Sequence, residues 1–119
     1  MTEAATAPWL VVCLCADWCG VCRQYRAAFD ALAVQWPTMQ FAWLDIEDEA
    51  EVLGDLDIET FPTVLVGQGT QARFMGPLQP QIGVLQRMLE RFAQGGAPAL
   101  AQGDDAHALL QRARMLIAS

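Results

Sequence analysis

An uninterrupted apolar run, WLVVCLC over residues 9–15, is the feature that most restricts the fold of this chain. A short run rich in Val and Cys is typical of a strand buried on both faces. The segment after it has apolar residues at spacings of three and four: Cys22, Tyr25, Phe29, Leu32 and Trp36. That spacing predicts an amphipathic helix, which Pro37 would end. A buried strand followed directly by a helix indicates an α/β fold.

The remaining segments extend this α/β pattern. The sequence predicts a strand over 39–46, a short acidic helix over 47–57, strands over 62–66 and 71–75, and a helix with Ile82, Leu85, Leu89 and Phe92 on its apolar stripe. The connection GQGT between the third and fourth strands fits a β-hairpin. Strand, helix, strand implies a parallel pair with a right-handed crossover, and the hairpin adds antiparallel pairing. We therefore expect a mixed four-stranded sheet flanked by helices.

The chain has 119 residues, which fits one domain. We expect this domain over 1–94, a Gly- and Ala-rich linker over 95–103, and an appended amphipathic helix over 104–118. The apolar positions of the last helix lie at helical spacing: Ala106, Leu109, Leu110, Ala113, Leu116 and Ile117. We expect this helix to pack on the same domain; the alternative is that it docks on a partner or a second copy. His107 on this helix is interpreted as an exposed residue of the polar face.

Charge and cysteine content restrict the function. The formal net charge is −7 and no lysine occurs, so the chain lacks the cationic face that nucleic acid or an anionic membrane requires. The apolar run ends too soon, at Asp17, for a signal peptide or a membrane span, and we expect a cytoplasmic protein. In a reducing cytosol, a close pair of cysteines is more often catalytic or metal-binding than structural.

Cys19 and Cys22 form such a pair, and their predicted environments differ. Cys19 falls at the junction of strand and helix, where free backbone N–H groups and the helix dipole favour the thiolate. The dipole contributes about 0.3–1 kcal/mol, so hydrogen bonds must supply the rest of any larger pKa shift. Cys22 falls on the apolar stripe and is shielded. Disulfide exchange through a mixed disulfide needs this combination of an exposed attacking thiol and a buried resolving thiol.

Three motifs carry a resemblance to a known family. They are Trp18-Cys19-Gly20-Val21-Cys22 after the apolar strand, Phe61-Pro62-Thr63 at the opening of a later strand, and Gly76 before the last family helix. With these motifs the chain resembles the thioredoxin superfamily over roughly residues 9 to 93. The resemblance implies a thioredoxin-like fold that lacks the family's usual leading strand and helix and carries an extra C-terminal helix.

The resemblance also implies an activity and its residues. The chain would be a thiol–disulfide oxidoreductase acting on protein disulfides, with a cytosolic setting favouring reduction, and with no metal and no cofactor beyond the Cys19–Cys22 dithiol. Cys19 would be the nucleophile and Cys22 the resolving thiol. The substrate surface would comprise Trp18, Gly20, Val21, Phe61, a cis Pro62, and Gly76. Expected partners are protein disulfides and an electron-donating reductase, and the protein is expected to be a monomer.

The chain departs from the family at two positions that handle protons. A buried Asp of the family is Cys13 here, and its lysine partner aligns with Trp43. Asp17, Cys13 or water would then accept the proton of Cys22, and we expect slower resolution of the mixed disulfide. The rival function is a thioredoxin-like adaptor or holdase that binds unfolded segments through the Trp18–Phe61 surface with little redox turnover.

The other two cysteines, Cys13 and Cys15, lie at spacing two on one face of the first strand. They are interpreted as small buried hydrophobic residues. One alternative is that Cys13 exchanges disulfides with Cys22. Another is a metal site in which both join Cys19 and Cys22 as four thiolate ligands, although two ligands on a strand and two at a helix start converge poorly on a tetrahedral ion.

Overall fold

The computed structural model describes residues 9–16, 20–46, 62–69, 71–79, 81–96 and 104–118. The elements in chain order are β1 (Trp9–Cys15), α1 (Gly20–Gln35), β2 (Met39–Asp45), β3 (Thr63–Gln68), β4 (Gln71–Pro77), α2 (Ile82–Arg91) and α3 (Asp104–Ala118). Phe92–Gly96 follow α2, and the chain leaves helical geometry at Gly95, which has a positive φ of 95°. The acidic helix predicted over 47–57 lies outside the described residues.

The four strands form one mixed sheet in the order β2-β1-β3-β4. β1 pairs with β2 in parallel, with Cys13 beside Trp43 and Cys15 beside Asp45. β3 pairs with β1 and with β4, both antiparallel. The predicted mixed four-stranded sheet is therefore confirmed, and its buried central strand β1 is the apolar run of residues 9–15.

Alternation along β1 divides the apolar residues between two cores, one on each face of the sheet. The first core contains Val11, Cys13 and Cys15 of β1 and is covered by α1 and α2. The helical residues buried in this core are Cys22, Tyr25, Phe29, Leu32, Leu85 and Leu89, with Phe92 just after α2. The helical stripes predicted from spacing thus face the sheet.

The second core lies on the opposite face, which α3 covers. Leu10, Val12 and Leu14 of β1 meet the buried residues of α3, which are Ala106, Leu109, Leu110 and Ala113. This contact is close at Gly67, where an added Cβ would lie 2.5 Å from Cδ1 of Leu110. Glycine is the residue that lets a helix approach a strand so closely.

Two polar contacts also fix α3 against the hairpin. The backbone N–H of Ala72 donates to Nδ1 of His107 over 3.0 Å, and Nε of Arg114 donates to the carbonyl of Gly69 over 2.9 Å. Interpreting His107 as an exposed residue was therefore wrong, because its ring is half-buried and bonds an edge strand. Among the described residues, no helix is long and apolar enough to cross a membrane.

Candidate thiol–disulfide site

The site lies where β1 ends and α1 begins. Cys15 is the last residue of β1, and Gly20 is the first residue of α1. Cys22, less than one turn into α1, is joined to Cys15 by a disulfide, and the two Cα atoms are 5.8 Å apart. Cys15 is 0% exposed and Cys22 is 1% exposed. The bond therefore ties the central strand to the helix inside the first core.

This pairing differs from the one that the resemblance implies. The resemblance pairs Cys22 with Cys19, and the sequence predicts Cys15 as a small buried hydrophobic residue. Cys15 is indeed buried, but it is covalently bonded. The physical reason is its position: Cys15 points to the face that α1 covers and is the strand residue closest in sequence to the helix. The spacing of two between Cys13 and Cys15 predicts that both lie on one face of β1. The position of Cys15 at the end of the strand, next to the helix start, is the further signal in the sequence that points to a bond with Cys22.

Cys13 is a free thiol in the same core. Burial disfavours its thiolate and raises the pKa of Cys13 from 9.0 to about 12. The thiol therefore stays protonated at neutral pH and is a poor proton acceptor there. Burial, and secondarily the charge of a Cys13 thiolate, also raise the pKa of Tyr25. The Tyr25 hydroxyl is buried and has no hydrogen-bond partner among the described residues.

The two positions where the family carries its Asp and Lys are neighbours in the sheet. Cys13 and Trp43 occupy them, in register across β1 and β2. The Trp43 ring packs edge-on against Phe29 with centroids 5.7 Å apart, and the Arg26 guanidinium lies 5.3 Å from the Trp43 ring centroid. An aromatic contact and a cation–π contact thus stand where the family has a charged pair.

Pro62 lies at the same end of the sheet as the disulfide. The register that pairs Leu14 with Thr63, continued by one residue, places Pro62 beside Cys15. Pro62 is buried, and its carbonyl accepts a hydrogen bond from the N–H of Leu78 over 3.0 Å. The sequence predicts Pro62 beside the Cys19–Cys22 pair. The described residues place Pro62 at the sheet end that carries Cys15, and Cys19 lies outside them.

The remaining candidate residues fall into two groups. Gly20 is exposed and Val21 is 42% exposed, so the first turn of α1 presents a small apolar surface to solvent. Gly76 lies inside β4, opposite Val64, because β4 runs two residues beyond the predicted strand end. The second group lies outside the described residues: Asp17, Trp18, Cys19 and Phe61.

The alternative of a four-thiolate metal site is not supported by the arrangement of the described cysteines. Within the described ranges, no group of three or more Cys, His, Asp or Glu side chains is arranged to hold a metal ion. Two of the four sulfurs proposed as ligands, those of Cys15 and Cys22, are bonded to each other. A metal takes thiolates as ligands, and a disulfide sulfur is not a thiolate.

A mixed β2-β1-β3-β4 sheet with helices on both faces, and with a strand-opening proline and a cysteine-bearing helix start at one sheet end, is a thioredoxin-like arrangement. The family model described as Thioredoxin matches residues 3–88. The chain is 35% identical over 63 residues to Thioredoxin H2 of Arabidopsis thaliana, which is 52% of this chain and 47% of that protein. It is 30% identical over 54 residues to the thioredoxin of Ophiophagus hannah, which is 45% of this chain and 51% of that protein.

Solved structures agree on the fold. The thioredoxin of Fasciola hepatica superposes with a TM-score of 0.65 at 22% identity, over 75% of this chain and 85% of that one. The thioredoxin of Trypanosoma brucei brucei has the same TM-score at 19% identity, over 77% and 82%. This chain belongs to the thioredoxin family. It spans about half the length of the two curated relatives named above.

Proposed function

We propose that this protein reduces disulfides in other proteins through Cys19 and Cys22, in a reducing compartment. The observation that carries the proposal is the position of Cys22, a buried sulfur at the start of α1 that already forms a disulfide. Cys19 directly precedes the first residue of α1 in the sequence, where helix N–H groups favour a thiolate. Family membership supports a thiol–disulfide oxidoreductase in general terms.

The reaction needs only the two thiols. The Cys19 thiolate attacks a client disulfide and forms a mixed disulfide, and one client sulfur leaves as a thiolate. The Cys22 thiol then loses its proton and attacks Cys19, which releases the second client sulfur and leaves a Cys19–Cys22 disulfide. Since Cys13 is protonated at neutral pH, water or Asp17 accepts the Cys22 proton in this proposal. An external dithiol returns the pair to two thiols.

A reductase is the proposed source of electrons. One structural neighbour is a chain in the structure of the ferredoxin: thioredoxin reductase and thioredoxin f2 complex; 77% of this chain superposes on 84% of that chain with a TM-score of 0.65. The identity is 19%, so the superposition supports a shared fold. The exposed Gly20 and Val21 beside Cys19 would form part of the contact surface.

An adaptor that holds unfolded segments is the second candidate. It is favoured by Cys13 and Trp43, which replace the charged pair with an apolar one next to the site. An adaptor would use the apolar surface at Val21 and would not need turnover.

One pair of assays separates the two functions. Reduction of insulin by dithiothreitol is followed for the wild type and for Cys19→Ser, with circular dichroism to verify that the variant folds. We expect Cys19→Ser to fall to the uncatalysed rate. A folded Cys19→Ser that matches the wild type in this assay contradicts the oxidoreductase. If the same variant then still suppresses aggregation of a denatured client, the adaptor is supported.

A further inference from the structure

We propose that Cys15 is a third redox cysteine, which takes Cys22 into a buried disulfide and so leaves Cys19 as the single available thiol of the site. The inference rests on the proposed function of Cys19 and Cys22. It starts from the observed bond between Cys15 and Cys22. Cys22 has one sulfur, so it cannot resolve a mixed disulfide on Cys19 while it is bonded to Cys15.

Burial makes this bond hard to reach from outside. Cys15 and Cys22 are at most 1% exposed. Both lie in the first core, which also contains Tyr25 and Phe29 of α1. A thiolate must approach a disulfide along the S–S axis, and access is one determinant of the rate. A small external thiol therefore attacks this bond poorly. Cys19 precedes Cys22 by three residues in the sequence, directly before the first residue of α1.

Cys19 can recover Cys22 by an exchange that needs no oxidant. The Cys19 thiolate attacks Sγ of Cys22, a Cys19–Cys22 bond forms, and the Cys15–Cys22 bond breaks. The electron pair leaves on the Cys15 sulfur, which takes up a proton equivalent to the one that Cys19 lost to solvent. The number of disulfides is unchanged. An external dithiol then reduces the accessible Cys19–Cys22 bond and is itself oxidised to a disulfide.

The leaving sulfur sets the speed of this exchange. Cys15 lies on the same face of β1 as Cys13 and is equally buried. A thiolate that leaves into an apolar core is poorly solvated, so the buried Cys15 sulfur leaves the disulfide slowly. The state with Cys15 bonded to Cys22 is therefore long-lived. In that state a client bonded to Cys19 meets no free resolving thiol and stays bound. While Cys19 is still a free thiolate, the exchange returns the pair to Cys19–Cys22 and restores turnover.

Disulfide mapping tests the bond directly. A protease that cleaves before aspartate cuts at Asp17, which separates Cys13 and Cys15 in fragment 1–16 from Cys19 and Cys22 in fragment 17–29. The oxidised protein is quenched in acid, alkylated and digested. We expect fragments 1–16 and 17–29 to be linked. A disulfide found only within 17–29 overturns the proposal.

Two single variants identify the sulfur in fragment 1–16. Cys13→Ala is the matched control, because Cys13 is buried on the same strand and face as Cys15 and is a free thiol. The link should survive in Cys13→Ala and disappear in Cys15→Ala. If the link disappears in Cys13→Ala and survives in Cys15→Ala, the bond is formed by Cys13, which contradicts the proposal.

The rate of reduction tests the role of Cys19. The same map follows loss of the Cys15–Cys22 bond in dithiothreitol for the wild type and for Cys19→Ser. Because the internal thiolate has a high effective concentration at Cys22, we expect reduction to be at least about tenfold slower in Cys19→Ser. Equal rates overturn the exchange. Neither measurement uses a client, so failure of the exchange is distinguishable from failure of the reductase activity, which the insulin assay reports.

Discussion

Replacing Gly67 by alanine tests how α3 sits on the sheet. The added Cβ would lie 2.5 and 2.6 Å from the two methyl carbons of Leu110, closer than side chains tolerate. Leu110 is 0% exposed and packed in the second core, so its methyl groups have little space to retreat. One of the two elements must shift. The matched surface control is Met115→Ala, since Met115 lies on the same helix and is 73% exposed.

The expected magnitudes follow from this geometry. Forcing a methyl group into a packed core costs about 1–3 kcal/mol. Alanine also lowers the conformational entropy of the unfolded chain relative to glycine, which offsets about 0.4–1 kcal/mol of this cost. Leu110→Ala alone removes a buried side chain and should cost about 2–5 kcal/mol. In the double variant Gly67→Ala/Leu110→Ala the new methyl enters the space that Leu110 vacated. The free energy of unfolding lost in the double variant should therefore be smaller than the sum of the two single losses by about 1 kcal/mol or more.

Equilibrium unfolding in urea measures the four free energies of this cycle under one fixed redox condition. Far-ultraviolet circular dichroism is the appropriate probe, because it reports all helices and strands together. Met115→Ala should change the free energy of unfolding by no more than about 0.5 kcal/mol. If the Gly67 and Leu110 variants add within about 0.5 kcal/mol, the two residues do not touch, and the described packing of α3 is refuted.

Three further predictions concern other parts of the core. Because folding raises the pKa of Cys13 from 9.0 to about 12, the folded state keeps the thiol proton at pH values where the unfolded chain has lost it. The free energy of unfolding should therefore fall as pH rises above about 9, by at most about 1.4 kcal/mol per pH unit. Urea unfolding at pH 8 and 10 should show a larger fall for the wild type than for Cys13→Ala. Equal falls in the two proteins contradict this prediction. His107→Ala removes the acceptor of the Ala72 N–H and should cost about 1 kcal/mol, with faster amide exchange at Ala72; unchanged exchange refutes the bond. Phe29→Ala removes a ring that is 1% exposed and should lower the free energy of unfolding by about 3–5 kcal/mol, whereas a loss below about 1 kcal/mol contradicts its core position.

Much of the fold could be predicted because burial repeats with a regular period. The spacing of Tyr25, Phe29 and Leu32 predicted which face of α1 meets the sheet, and these residues are buried there. The continuous apolar run of β1 predicted a strand with cores on both sides, which alternation along the strand then produces. Local periodicity carries this information, since a helix or strand presents the same face at fixed intervals.

The site was less predictable because it depends on contacts between elements. The spacing of Cys19 and Cys22 predicted a redox pair, but the bond observed on Cys22 comes from Cys15 on a different element. No local pattern states the distance between a strand end and a helix turn. The same holds for His107, whose partner Ala72 lies 35 residues away on an edge strand.

Capture of a client by Cys22→Ser tests the central claim most directly. The reduced variant is mixed with a peptide that carries one disulfide, and the adduct is digested before Asp17 and sequenced by mass spectrometry. The account predicts a stable mixed disulfide on Cys19, within fragment 17–29. An adduct on Cys13 or Cys15 in fragment 1–16, or no adduct at all, would contradict it.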